Sequence, residues 1–141
     1  MGPFAQGWTE ADVEAVLVRG DPAELLYVPI VVGMNAPGCE QAWAERVCFE
    51  LAGHPHFNVR GNALLGLGHI ARTCRQLDLG RAVPIIAQAL ADPNDYVRGH
   101  ANDAACDLHM YLGVLIPGYD ASLTDVLIDT INDLMRQGDA G

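Results

Sequence analysis

Residues 54–63 read HPHFNVRGNA, and residues 92–101 read DPNDYVRGHA. Pro55 falls on Pro93, Val59-Arg60-Gly61 on Val97-Arg98-Gly99 and Ala63 on Ala101, at one constant offset of 38 residues. A fixed offset of this size marks a structural unit repeated along the chain, each copy burying its apolar face against the next. The residues around each proline turn have the same layout. Before the first turn, Ala44, Val47, Cys48 and Leu51 fall on one helical stripe; before the second, Val83, Ile86 and Leu90 do. After the turns come Val59, Ala63, Leu67, Ile70 and Cys74 in one copy, and Val97, Ala101, Ala105, Leu108 and Leu112 in the other, spaced by three and four. The units therefore span about 40–74 and 81–112, with Asn58 and Asp95 as the expected N-caps of their second helices.

The flanks are also helical by pattern. Thr9 with Asp12 opens a helix that Val13, Val16 and Leu17 carry to Arg19, and Gly20 stops it. Asp21-Pro22-Ala23-Glu24 supplies an N-cap, a proline at the first position and an early carboxylate, which predicts a second helix running to Val32. Residues 9–32 then form an amino-terminal cap. Over 122–136, Leu123, Val126, Leu127, Ile131 and Leu134 share one face and Asp125, Asp129 and Asp133 another, which predicts a closing helix with a solvated outer side. The small residues Gly61, Gly66 and Gly68 permit close helix contact at some cost in helix propensity. The expectation is one all-α domain across residues 1–141.

Half of the 141 residues are hydrophobic, enough for one real core. Eighteen acidic residues stand against eight basic ones, every one arginine, for a formal charge of −10. Such a balance disfavours nucleic acid and favours a basic protein partner. Cys39, Cys48, Cys74 and Cys106 contain no CxxC pair and no zinc-like spacing, so a reduced, cytoplasmic setting is expected. Met1-Gly2-Pro3-Phe4 lacks a basic region, and the longest apolar run, from Leu25 to Met34, is short and interrupted by Pro29. Neither a signal peptide nor a membrane span is expected.

A helix, a short Asp/His-Pro turn, then Val-Arg and a second helix rich in small residues resembles the HEAT repeat, over roughly Glu40 to Leu112. The resemblance implies an α-solenoid of stacked helical hairpins with capping helices at its ends. It also implies a structural ladder in which Arg60 pairs with Asp92 or Asp95 of the neighbouring unit, with Arg98 in the equivalent place. Second helices of such units line the concave face. The wording FNVRGNALLGLGHIART followed by DYVRGHANDAACDL is similar to short bacterial HEAT-repeat proteins that serve as immunity proteins of polymorphic toxin systems. What this implies is a scaffold, monomeric when free, that occludes the active site of a cognate basic toxin domain.

On the second helices, Asn62 aligns with His100, Leu65 with Asp103 and His69 with Asp107. His100, Asp103 and Asp107 stand at i, i+3 and i+7, so one face offers an imidazole and two carboxylates, with Asn62 and His69 beside them. Phe57 and Tyr96, read as equivalent aromatics of the two units, are candidates for the rim of that surface. Asn62, His69, His100, Asp103, Asp107, Phe57 and Tyr96 are thus the candidate partner-binding set. HEAT-type deoxyhypusine hydroxylases hold iron with adjacent His-Glu pairs; this chain has none, and no metal or cofactor is expected. No Gly-x-Ser-x-Gly elbow is present, and no strand precedes Gly66-Leu67-Gly68 to make it a phosphate loop. The competing reading is a HEAT-like enzyme or small-ligand binder using a groove of His69, His100, Asp103 and Asp107.

Overall fold

The computed structural model describes residues 9–38, 40–120 and 122–140; the side chains of 123–128 and 138–140 lie outside that description. Every regular element among the described residues is helical. Helix α1 (Glu10–Arg19) starts on a reciprocal capping box between Thr9 and Asp12 and ends on Gly20, whose φ of 68° suits a residue without Cβ. Its far side is tied to the repeats: Glu14 accepts from Trp43 Nε1 at 2.9 Å and from Arg46 at 2.7 Å.

The helix expected over 22–32 is two helices, α2 (Pro22–Leu25) and α3 (Val28–Met34). Pro29 is the reason, since it has no N–H for the Leu25 carbonyl. The Leu26 carbonyl left at the break accepts from Asn62 Nδ2 at 2.9 Å. A short 3₁₀ turn (Ala36–Gly38) then leads to α4 (Gln41–Leu51).

Helix α5 (Phe57–Cys74) lies between α3 and α7 (Asp95–Leu112), packing along both, while α4 leans on α5 and α6 (Leu79–Ala89) on α7. The α3–α5 crossing is backbone against backbone. A Cβ on Gly66 would stand 2.5 Å from the Pro29 carbonyl oxygen and 2.9 Å from Cys48 Sγ. One on Gly33 would stand 2.7 Å from the Gly66 carbonyl oxygen. Helix α6 begins two residues before the expected Arg81. The buried Glu45 of α4 accepts the N–H of its N-cap, Asp78, at 2.5 Å, placing a carboxylate at the positive end of α6.

The core is continuous through these layers, from Val13, Val16 and Val32 through Val59, Leu64 and Leu67 to Val97, Ala101 and Leu108. At its far end, the amphipathic pattern of residues 122–136 predicts an apolar face turned to this core. Helix α8 (Ser122–Ala140) touches α7, yet Ile131 and Leu134 are 42% and 62% exposed. Between the two helices, the segment after α7 turns back at Gly113 and inserts Ile116, 1% exposed, with Val114 and Tyr119 against the core. Leu123, Val126 and Leu127 of the predicted apolar face lie outside the described side chains.

Candidate interaction surface on helices α5 and α7

The two turns that define the repeat use one set of hydrogen bonds with two chemistries. In the second, Asp92 Oδ1 accepts the N–H of Asn94 at 2.9 Å and Asn94 Oδ1 that of Tyr96 at 2.9 Å. In the first, His54 Nδ1 accepts from His56 at 3.0 Å and His56 Nδ1 from Asn58 at 3.3 Å. The caps of α5 and α7 are accordingly His56 and Asn94, each one position or more before the expected Asn58 and Asp95. The periodicity that locates the helices marks where apolar contacts begin, and a cap precedes them by a variable number of residues.

Arg60 bridges the units. Its Nε and Nη2 donate to the two oxygens of Asp92 at 2.9 and 3.0 Å, and its Nη1 to the carbonyls of His54 and Pro55. That guanidinium holds the Asp92 carboxyl below the usual carboxylate range, helped by the Asn94 N–H. Arg98 repeats half of the arrangement, donating to the Asp92 carbonyl at 2.6 Å and pairing with Asp95 of its own turn. Asp95 is therefore not part of the bridge between units.

Between α5 and α7, Asn62 is buried rather than presented to a partner. It links three layers, donating to Leu26 and accepting from the Tyr96 hydroxyl at 2.5 Å. The Tyr96 ring lies over Gly61, where a Cβ would come within 2.6 Å of it. His100 meets the ring edge-on at 4.5 Å between centroids, and Phe57 does so at 6.0 Å while stacking on His56. The result is a row of four rings, His56, Phe57, Tyr96 and His100, with Phe57 and Tyr96 both partly exposed. Phe57 and Tyr96 are neighbours in space but not equivalents, because the 38-residue offset pairs Tyr96 with Asn58 and Phe57 with Asp95.

Asp103 extends outward from this row, its side chain 62% exposed and its Oδ2 3.4 Å from His100 Nδ1. That nitrogen is shielded from water and has no hydrogen-bond partner, the carboxylate beside it included. Further along, Asp107 packs onto α5 over Gly68, where a Cβ would stand 2.6 Å from Oδ2. Burial pushes its carboxyl up to about 6, against the lowering effect of Arg72 and with a further rise from Asp103. His69 turns to Arg72, whose Nη2 donates to His69 Nδ1 at 2.6 Å; burial, then the Arg72 charge, holds the imidazole below its ordinary value.

The structure thus brings Asn62, Phe57, Tyr96, His100 and Asp103 together, and places His69 and Asp107 farther along the helices around Arg72. Among the described residues no group of three His, Cys, Asp or Glu side chains converges as a metal site would. The described thiols suit packing: Cys48 is fully buried and pushed up to about 12 by burial, then by the Glu45 charge. No helix among the described residues is long and apolar enough to cross a membrane. Sequence reasoning missed Gly99, which with Asp95, Tyr96, Arg98, His100, Asn102 and Asp103 lines an open hollow of about 620 Å³ on α7. Its signal was present in the repeated Val-Arg-Gly, where glycine is read only as a small residue. No protein-family model matches the chain, and no curated protein or solved structure matches it either.

Proposed function

We propose that this chain is a HEAT-like α-solenoid that acts as a protein-binding scaffold, and that its partner is a basic protein, most specifically a bacterial toxin domain whose active site it occludes. The observation that carries the reading is the open surface of α7, where the rigid Tyr96 and His100 rings stand beside the outward carboxylate of Asp103. A fixed aromatic needs little ordering on binding, and a carboxylate at its edge selects a cationic surface. The charge of the whole molecule, −10, attracts the same partner at longer range. Asp107 is not one of the contacting charges in this proposal, because it is packed against Gly68 and burial pushes its carboxyl up to about 6.

The test is co-expression with basic toxin domains, any encoded beside this chain taken first, followed by measurement of the stoichiometry and kinetics of the complex. A one-to-one complex that silences the toxin is expected. Asp103→Arg should weaken it about 10- to 100-fold, mainly by slowing association. Asp129→Arg, on the exposed side of α8, should change it little. An Asp103→Arg protein that binds and protects like the parent, with Asp129→Arg failing, would move the binding surface to α8.

A further inference from the structure

The repeat contains one seat twice, filled once. In the first unit Gly61 and Asn62 receive the Tyr96 side chain: its ring covers the glycine, and its hydroxyl donates to Asn62 Oδ1 at 2.5 Å. The offset of 38 residues carries Gly61 onto Gly99 and Asn62 onto His100. A Cβ built on Gly99 would meet nothing within 4 Å, and the open hollow on α7 lies there. Where Asn62 has its phenol, His100 lines the hollow with a side chain 23% exposed.

We infer that the Gly99–His100 hollow is a docking seat for a tyrosine side chain of the basic partner, ring over Gly99 and hydroxyl at His100, as Tyr96 sits over Gly61 and Asn62. Three observations select this occupant. The filled copy shows that a phenol fits a seat of this backbone geometry. Glycine at position 99 leaves the helix backbone bare, so an aromatic face can lie flat against it as Tyr96 does on Gly61. Asp103 at the rim is exposed and acidic, so a tyrosine flanked by arginine or lysine is favoured over one flanked by acids. The inference rests on the acidic-surface reading for the partner's charge and adds the anchoring side chain.

The probe is acetyl-Arg-Gly-Tyr-Gly-Arg-amide, titrated into the full chain against the same peptide with serine in place of tyrosine, with backbone amide shifts as the readout. The tyrosine peptide should shift Gly99, His100 and Asp103 saturably and bind about tenfold more tightly than the serine peptide. Gly99→Leu, which fills the hollow with a good helix former, should abolish that difference while leaving the thermal midpoint at or above the parent's; Gly61 and Asn62 should not shift in either protein. Equal binding of both peptides, sensitive to Asp103→Arg, overturns the seat and leaves the acidic surface standing. Absence of shifts at Gly99 overturns the seat, with the acidic surface then judged by the partner complex alone. Self-association of the parent chain that Gly99→Leu removes would also overturn it, by assigning the seat to a second copy.

Discussion

Single residues carry unequal weight at positions the repeat makes formally equivalent, and glycine shows this most clearly. Gly99→Ala meets open space in a helix interior, so the alanine should stabilise by about 0.5–1 kcal/mol through lower unfolded-state entropy and better propensity. Gly61→Ala drives a Cβ into the Tyr96 ring and should cost about 1–3 kcal/mol, with quenching or release of the tyrosine signal as the ring moves. Chemical denaturation of both variants checks the pair; equal effects would mean that Tyr96 does not rest on Gly61. The string Val-Arg-Gly was legible as a repeat, but its two glycines could not be told apart in sequence, because what lies over each is set by the next unit. Asp107 is similar. Its folded carboxyl is raised to about 6 while an unfolded one ionises near 3.9, so ionisation at neutral pH opposes folding and the penalty fades as pH falls from 6 to 4. Asp107→Asn should therefore stabilise by about 1–2 kcal/mol at pH 7.5, after allowing for its remaining contact with water, and the gain should vanish near pH 4.

At the scale of elements, apolar spacing located the helices and local chemistry set their ends. The pattern over 9–19 and both second helices was plain because stripes at three and four have few alternative readings. The break at Leu26-Tyr27 was not, although Pro29 was visible, since a proline near a helix start and one that restarts a helix look alike until a tertiary partner, here Asn62, accepts the break. The caps were displaced because His54 and His56 do the work of Asp92 and Asn94, and histidine is seldom read as a cap. That substitution predicts pH dependence. His54 is held below its ordinary value of about 6.5 by burial, then by His56 and Arg60, so the folded state binds fewer protons and stability is lost as pH falls below about 6.5. His54→Asp, which copies the second turn, should flatten the thermal midpoint between pH 7 and 5 relative to the parent; an unchanged slope would show that the first turn tolerates protonation. The bridge between units gives a second contrast. Asp92→Ala strips Arg60 of both charged acceptors and should cost about 2–3 kcal/mol, whereas Asp95→Ala, at a side chain 93% exposed, should stay within about 0.5 kcal/mol by urea denaturation.

For the whole molecule, the decisive quantity is where its positive charge goes. Arg19, Arg46, Arg60, Arg98 and Arg136 pair with carboxylates, Arg72 donates to His69, and Arg75 and Arg81 cover the rings of Tyr111 and Phe49. All eight arginines are thus engaged within the chain, against eighteen acidic residues and a formal charge of −10. Composition alone showed the surplus; it could not show that the cations are spent on internal contacts. Two opposite salt effects follow. If attractive surface pairs dominated, added salt would weaken them and lower stability; if self-repulsion dominates, salt relieves it. Most of these pairs are exposed and worth little, while the Arg60–Asp92 bridge is only 20% and 14% exposed and is screened least. Raising ionic strength from about 0.01 to 0.15 M shortens the screening length from about 30 to 8 Å, enough to quiet repulsion across the molecule without undoing that bridge. The thermal midpoint should therefore rise by a few degrees over this range, and binding to a basic partner should weaken over the same range because steering is lost. A midpoint that falls with salt would mean that the exposed ion pairs, not the acidic excess, govern the balance, and the electrostatic case for a basic partner would fall with it.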